Sequence, residues 1–190
     1  HPTYVTSLSN LASTYTYLGN YNKALELDLE CLALRERICG KEHPDYATSL
    51  NNLASTYSDL GDYNQALEMN IECLALRERI CGKEHPSYAT SLSNLASTYS
   101  DIGDYNQALV TNLQCLDLRE RIFGKEHPSY ATSLGNLATS YSDLGDYNQA
   151  LEINLECLDL NEKIFGKEHH SYALRLNNLG KTYSMLGDYE

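Results

Sequence analysis

The side chains with chemistry to offer are six cysteines, six histidines, and row upon row of Asn, Ser, Thr and Asp. Cys31, Cys73, Cys115 and Cys157 recur at a fixed interval of 42 residues, while Cys39 and Cys81 give way to Phe123 and Phe165 in the later copies. No Cys-x-x-Cys pair occurs, so zinc or dithiol chemistry has no anchor. Equivalent sites on packed helices lie about 8–10 Å apart, beyond the reach of a disulfide. Buried free thiols in a reducing, intracellular and cytoplasmic setting are the expectation, with no metal and no cofactor. His1, His43, His85, His127 and His169 each precede a helical pattern and share no recurring second ligand or acid–base partner, so they read as capping and turn residues. What remains is amide and hydroxyl chemistry. A primary amide offers a donor and an acceptor together, the combination that grips the main chain of an extended strand.

Composition narrows the classes further. Acids exceed bases by 26 to 14, giving a formal net charge of −12. Nucleic acid and anionic membrane surfaces both require clustered Lys and Arg, so neither is an expected partner. No apolar run reaches the roughly 20 residues of a spanning helix. Near-identical copies offer each side chain four or five times and no unique pocket, and neither a phosphate loop nor a nucleophile elbow is present. The chain does not read as an enzyme. It opens at His1 rather than Met, which reads as a fragment excised from a longer protein.

The elements that must position these groups follow from the repeat. Copies occupy 1–42, 43–84, 85–126 and 127–168, with a half copy at 169–190. A fixed period of this length signals a stacked array, here one array over 1–190. Glycines from Gly19 to Gly187 fall every 21 residues, each placed to end a helix in the left-handed conformation. Asp62 followed by Gln65 marks one kind of helix start, and His85-Pro86 marks the other. Each repeat is thus a helix A, about 44–60 in the second copy, a tight turn, and a helix B, about 63–81. Helix A carries Tyr46, Leu50, Leu53, Ala54, Tyr57 and Leu60 on one stripe. Helix B is apolar over more than half its circumference and must pack on two sides. In that apolar arc fall Asp28, Asn70, Asn112 and Asn154, for which hydrogen bonds to tyrosine hydroxyls or backbone of neighbouring helices are expected, holding the repeats in register. Arg35, Arg77 and Arg119 near the end of helix B suit the helix dipole, and Asn161 replaces them in the fourth copy.

Leu50-x-x-Leu53-Ala54-x-x-Tyr57, with Ala66 and Cys73 beyond, resembles the tetratricopeptide signature. The 42-residue form, with His-Pro-x-Tyr at its start, Asn-Asn-Leu-Ala in helix A and Leu-Arg-Glu-Arg-Ile-x-Gly-Lys-Glu at its end, is similar to the repeats of kinesin light chains. The resemblance implies an all-α fold, a right-handed superhelical solenoid of antiparallel helix pairs with five A helices and four B helices. It also implies a concave groove, lined by helix A, that receives an extended peptide or partner segment. The asparagines matching those that hold peptide backbone in that family are Asn10, Asn52, Asn94, Asn136 and Asn178.

The resemblance makes Thr6, Asn10, Ser13 and Tyr17 the groove-facing positions in the first copy and Thr48, Asn52, Ser55 and Asp59 those in the second. Thr90, Asn94, Ser97 and Asp101 follow in the third, and Thr132, Asn136, Thr139 and Asp143 in the fourth. Asn178 and Lys181 close the series. The row holds almost no base, and Asp59, Asp101 and Asp143 make one edge acidic. A neutral or basic protein or peptide partner is expected rather than the acidic cargo of kinesin light chains. The alternative is a structural array that associates with itself head to tail into filaments.

Overall fold

The computed structural model describes residues 2–187, Pro2 in its backbone alone; His1, with its expected capping role, lies outside them. The described residues form nine α-helices and no strand: α1 (Pro2–Tyr17), α2 (Tyr21–Cys39), α3 (Pro44–Asp59), α4 (Tyr63–Cys81), α5 (Pro86–Ile102), α6 (Tyr105–Phe123), α7 (Pro128–Asp143), α8 (Tyr147–Phe165) and α9 (His170–Leu186). Odd-numbered elements are the A helices and even-numbered ones the B helices. None is long and apolar enough to cross a membrane. The chain divides into two compact units, one running to Ile102 and the other starting at Gly103. Inside each unit, every helix packs against the next in sequence.

The helix ends form for identifiable reasons. His43, His85, His127 and His169 each accept a hydrogen bond at Nδ1 from the backbone N–H two residues on, at 3.1–3.2 Å, and so cap the A helices as expected. Asp104 and Asp146 cap their B helices through Gln107 N and Gln149 N, and Asn20 does the same through Lys23 N. Asp62 occupies the same position but its carboxylate accepts no capping bond. All nine expected glycines have positive φ. Those ending the B helices depart from the expected left-handed cap: Gly82 has φ 80° and ψ 168°, an extended mirror-image conformation open to glycine alone.

The core of the first unit is seen best around α3. Tyr46, Ala47 and Leu50 pack on Cys73 and Leu76 of α4, with Leu32 of α2 closing the other side. Leu50 and Leu53 are 1% exposed, and each contributes about 1.5–3 kcal/mol by burial. In the second unit Tyr130 and Leu134 pack on Cys157 with Leu116, Ile153 and Leu160 around them. None of the six cysteines is in a disulfide: Cys31, Cys73, Cys115 and Cys157 are buried, Cys39 and Cys81 half-buried. The buried thiols sit where paired helices approach closely, Cys73 Sγ lying 3.2 Å from the Ala47 carbonyl oxygen. Burial pushes the Cys31 thiol up to about 11.

Candidate functional site: a polar face floored by buried amides

The B-helix polar series is the foundation of the site. Thr56 Oγ1 donates to Asp28 Oδ2 at 2.7 Å, while Nδ2 of Asn70, Asn112 and Asn154 donates to Thr98, Ser140 and Thr182 at 2.8–3.1 Å. The partners are therefore hydroxyls of the following A helix, not the tyrosine hydroxyls or backbone groups the sequence suggested. Each bond joins a B helix to an A helix 28 residues on, so it fixes the stacking of one repeat on the next. Arg35 and Arg119 make a parallel link: Nη1 donates to the backbone carbonyls of Asp45 and Ser129, at 2.7 and 3.0 Å, in the first turn of the next A helix.

A helices also touch each other. Asn52 Nδ2 donates to Ser9 Oγ at 3.1 Å, and Asn94 Nδ2 donates to Asn51 Oδ1. These amides are half-buried rather than open rungs, and part of their bonding capacity ties α1, α3 and α5 side by side. Asn136 and Asn178 are half-buried too, whereas Asn10 is exposed. Thr6, Ser13, Tyr17, Thr48, Ser55, Asp59, Thr90, Ser97, Asp101, Thr132, Thr139, Asp143 and Lys181 are all exposed. Thr48, Thr90 and Thr132 turn their hydroxyls back on the carbonyls of Pro44, Pro86 and Pro128.

Three recesses gather many of these groups. One of about 350 Å³ brings Ser13, Tyr17, Asn52, Ser55 and Asp59 together over Asp28. A second, of about 360 Å³, joins Ser55, Asp59, Asn94, Ser97 and Asp101 over Asn70. In the second unit a recess of about 310 Å³ holds Thr139, Asp143, Asn178 and Lys181 over Asn154. Thr6, Asn10, Thr48, Thr90, Thr132 and Asn136 line none of the three. The floor residues Asp28, Asn70 and Asn154 were expected from sequence to hold the repeats in register; the recurring 28-residue offset to a hydroxyl-bearing residue is the sequence signal for their place beneath the A helices. Burial raises the pKa values of Asp28, Asp101 and Asp143 above the usual carboxylate range.

Helix pairs at a 42-residue period, with small residues at the close approach of A and B, define a tetratricopeptide-type helical repeat protein. The tetratricopeptide repeat family model matches residues 3–78, 59–121, 111–163 and 141–190, and the chain belongs to that family, whose fold is a general protein-interaction scaffold. Among solved structures it is similar to a kinesin light chain-type protein from Podosopora anserina with nearly identical TPR-like repeats, at 27% identity and a TM-score of 0.84, over 100% of this chain and 90% of that one. BtubC (BKLC) from P. vanneervenii shares the fold at 23% identity and a TM-score of 0.83, over 97% and 74% of the two chains. A Rap protein complexed with competence and sporulation factor shares it at 14% identity and a TM-score of 0.78, over 96% and 48%. No curated protein sequence matches the chain significantly.

Proposed function

We propose that this chain is a non-catalytic interaction scaffold whose A-helix face receives an extended peptide or partner segment, neutral or basic rather than acidic. The observation that carries the reading is the pair of recesses between α1, α3 and α5, both open to solvent and both floored by a buried polar side chain. A face made only for solubility would not place Asn, Ser and Thr, poor helix formers, at so many exposed helical positions. The Rap complex supports the reading by analogy of fold, since that protein is complexed with competence and sporulation factor. A peptide-display screen against the whole chain tests it. Selected peptides should bind the chain and lose affinity on Ser55→Arg, which blocks the recesses on both sides of α3. Selected peptides indifferent to that change, or a screen that enriches nothing, would refute it. Concentration-dependent sedimentation in the same preparation separates this reading from self-assembly, for which the chain itself would be the partner.

A further inference from the structure

The recess between α3 and α5 is built over a buried acceptor that has no donor. Asn70 is 3% exposed and lines it. Its Nδ2 donates to Thr98 Oγ1 at 2.9 Å, and Thr98 in turn donates to the Asn94 carbonyl at 3.2 Å. That leaves Asn70 Oδ1 buried with no partner, a state that ordinarily carries a penalty. Asp59 and Asp101 line the same recess, and neither is in an ion pair among the described residues. The recess asks for N–H donors and for positive charge.

The helix ends sharpen the argument. Every B helix has a base in its last turn, Arg37, Arg79, Arg121 or Lys163, where it complements the negative end of the dipole. No A helix has one. Instead α3 and α5, like α7 with Asp143, carry Asp59 and Asp101 in their last turns, the end at which a carboxylate is disfavoured. Stability therefore gives no reason for these two acids. Together with the helix carbonyls they concentrate negative potential at the mouth of a recess whose floor holds an unpartnered acceptor.

We infer that this recess is a socket for a basic side chain of the partner, with the adjoining recess between α1 and α3, which shares Asp59 and holds Asp28, as a second socket. This deepens the proposed groove function and rests on it. A guanidinium suits the first socket best, because its planar fork can donate to two carboxylates and a floor carbonyl at once. Adjacent A helices are joined by direct side-chain hydrogen bonds, which sets their axes about 10 Å apart. An extended strand rises about 3.3 Å per residue. Basic residues three positions apart would therefore reach both sockets. The second unit supplies a contrast: Asn154 Oδ1 is likewise buried without a partner, but Lys181 stands beside Asp143 in that recess, where a cationic side chain is less welcome.

The test uses the whole chain and an eight-residue capped peptide of Ser and Ala carrying two Arg three positions apart, read by fluorescence anisotropy. Controls are the same peptide with Gln for Arg, and one with the two Arg adjacent. The spaced Arg peptide should bind at least 10-fold more tightly than either control. Asp59→Asn and Asp101→Asn, with helical content checked by circular dichroism, should each weaken it 3–10-fold and leave the Gln peptide unchanged. Lys181→Ser should have no effect on that affinity. Equal binding of the Arg and Gln peptides would overturn the sockets while leaving the groove reading intact. Equal binding of the spaced and adjacent Arg peptides would overturn the two-socket geometry in favour of diffuse attraction by a chain of net charge −12. A failure of the display screen described above, by contrast, would remove the groove itself.

Discussion

Asp28→Asn should stabilise the chain, and its effect can be worked from the repeat itself. Asp28 is 4% exposed and receives one hydrogen bond, from Thr56 at 2.7 Å. Burial raises its pKa and the Thr56 bond only partly offsets this. The folded state therefore holds the proton more tightly than the unfolded chain. Its stabilising contribution is complete below the unfolded pKa and is lost as pH rises through the folded one, so at neutral pH the carboxylate is a burden. Asn at the same position in α4, α6 and α8 is neutral and donates to a hydroxyl instead. Removing the desolvation of an ionised group, less the charge-assisted bond given up, leaves a gain of about 1–2 kcal/mol at pH 7. Guanidinium unfolding followed by circular dichroism from pH 4 to 8 isolates the term as a difference between wild type and variant. The variant should be the more stable at pH 7, and the gap should close on acidification. An Asp28→Asn chain no more stable than wild type at pH 7, or a gap that does not shrink toward pH 4, would refute the reasoning.

Three other outcomes follow from particular contacts. Asn112→Leu removes the 2.8 Å bond to Ser140 and should lower stability by about 1 kcal/mol, measured by the same unfolding assay. Gly135 sits under Arg175, whose guanidinium fills the space a Cβ would need; Gly135→Ala should therefore forgo the helix-propensity gain of about 1 kcal/mol that it delivers in an Arg175→Ser background, a coupling readable in a double-mutant cycle. Cys31, with its pKa pushed up to about 11, should be about one part in a thousand thiolate at pH 8 and resist iodoacetamide until the chain is unfolded, as mass spectrometry of the alkylated protein would show.

The architecture was legible because it is written in spacing. The glycines at 21-residue intervals and the His-Pro starts fix the helix ends to within a residue or so, since both are backbone requirements. What could not be read was anything that depends on how two A helices approach. Asn52 looked like an open rung, but Ser9 lies close enough to take its amide proton. Asn70 looked like a buried polar link between repeats, and its amide does bond across to Thr98 of α5. That its oxygen is left without a donor emerges only when the proton of Thr98 is followed to the Asn94 carbonyl. Arg175 stands where the four earlier copies have Ser, and it has a counterpart in α7. Gly135 replaces the Ser or Asn of the earlier repeats, and its missing Cβ makes room for the guanidinium.

Departures between repeats thus carry more information than the consensus. Arg35 and Arg119 reach forward from a B helix to the next A helix; in the last interface the base has moved to α9 as Arg175, and Asn161 turns back to donate to its own helix at the Cys157 carbonyl. That exchange is accommodated inside the core and needs no partner to explain it. Asp28, Asp59 and Asp101 are different. Asp28 is buried where the other repeats use a neutral amide, and the other two sit at the disfavoured end of their helices. A carboxylate that the fold compensates only in part points outward, to a ligand that brings the missing charge. Asp28→Asn separates the two cases in one protein: if the variant is the more stable and yet binds the spaced Arg peptide less well, the carboxylate is there for the partner.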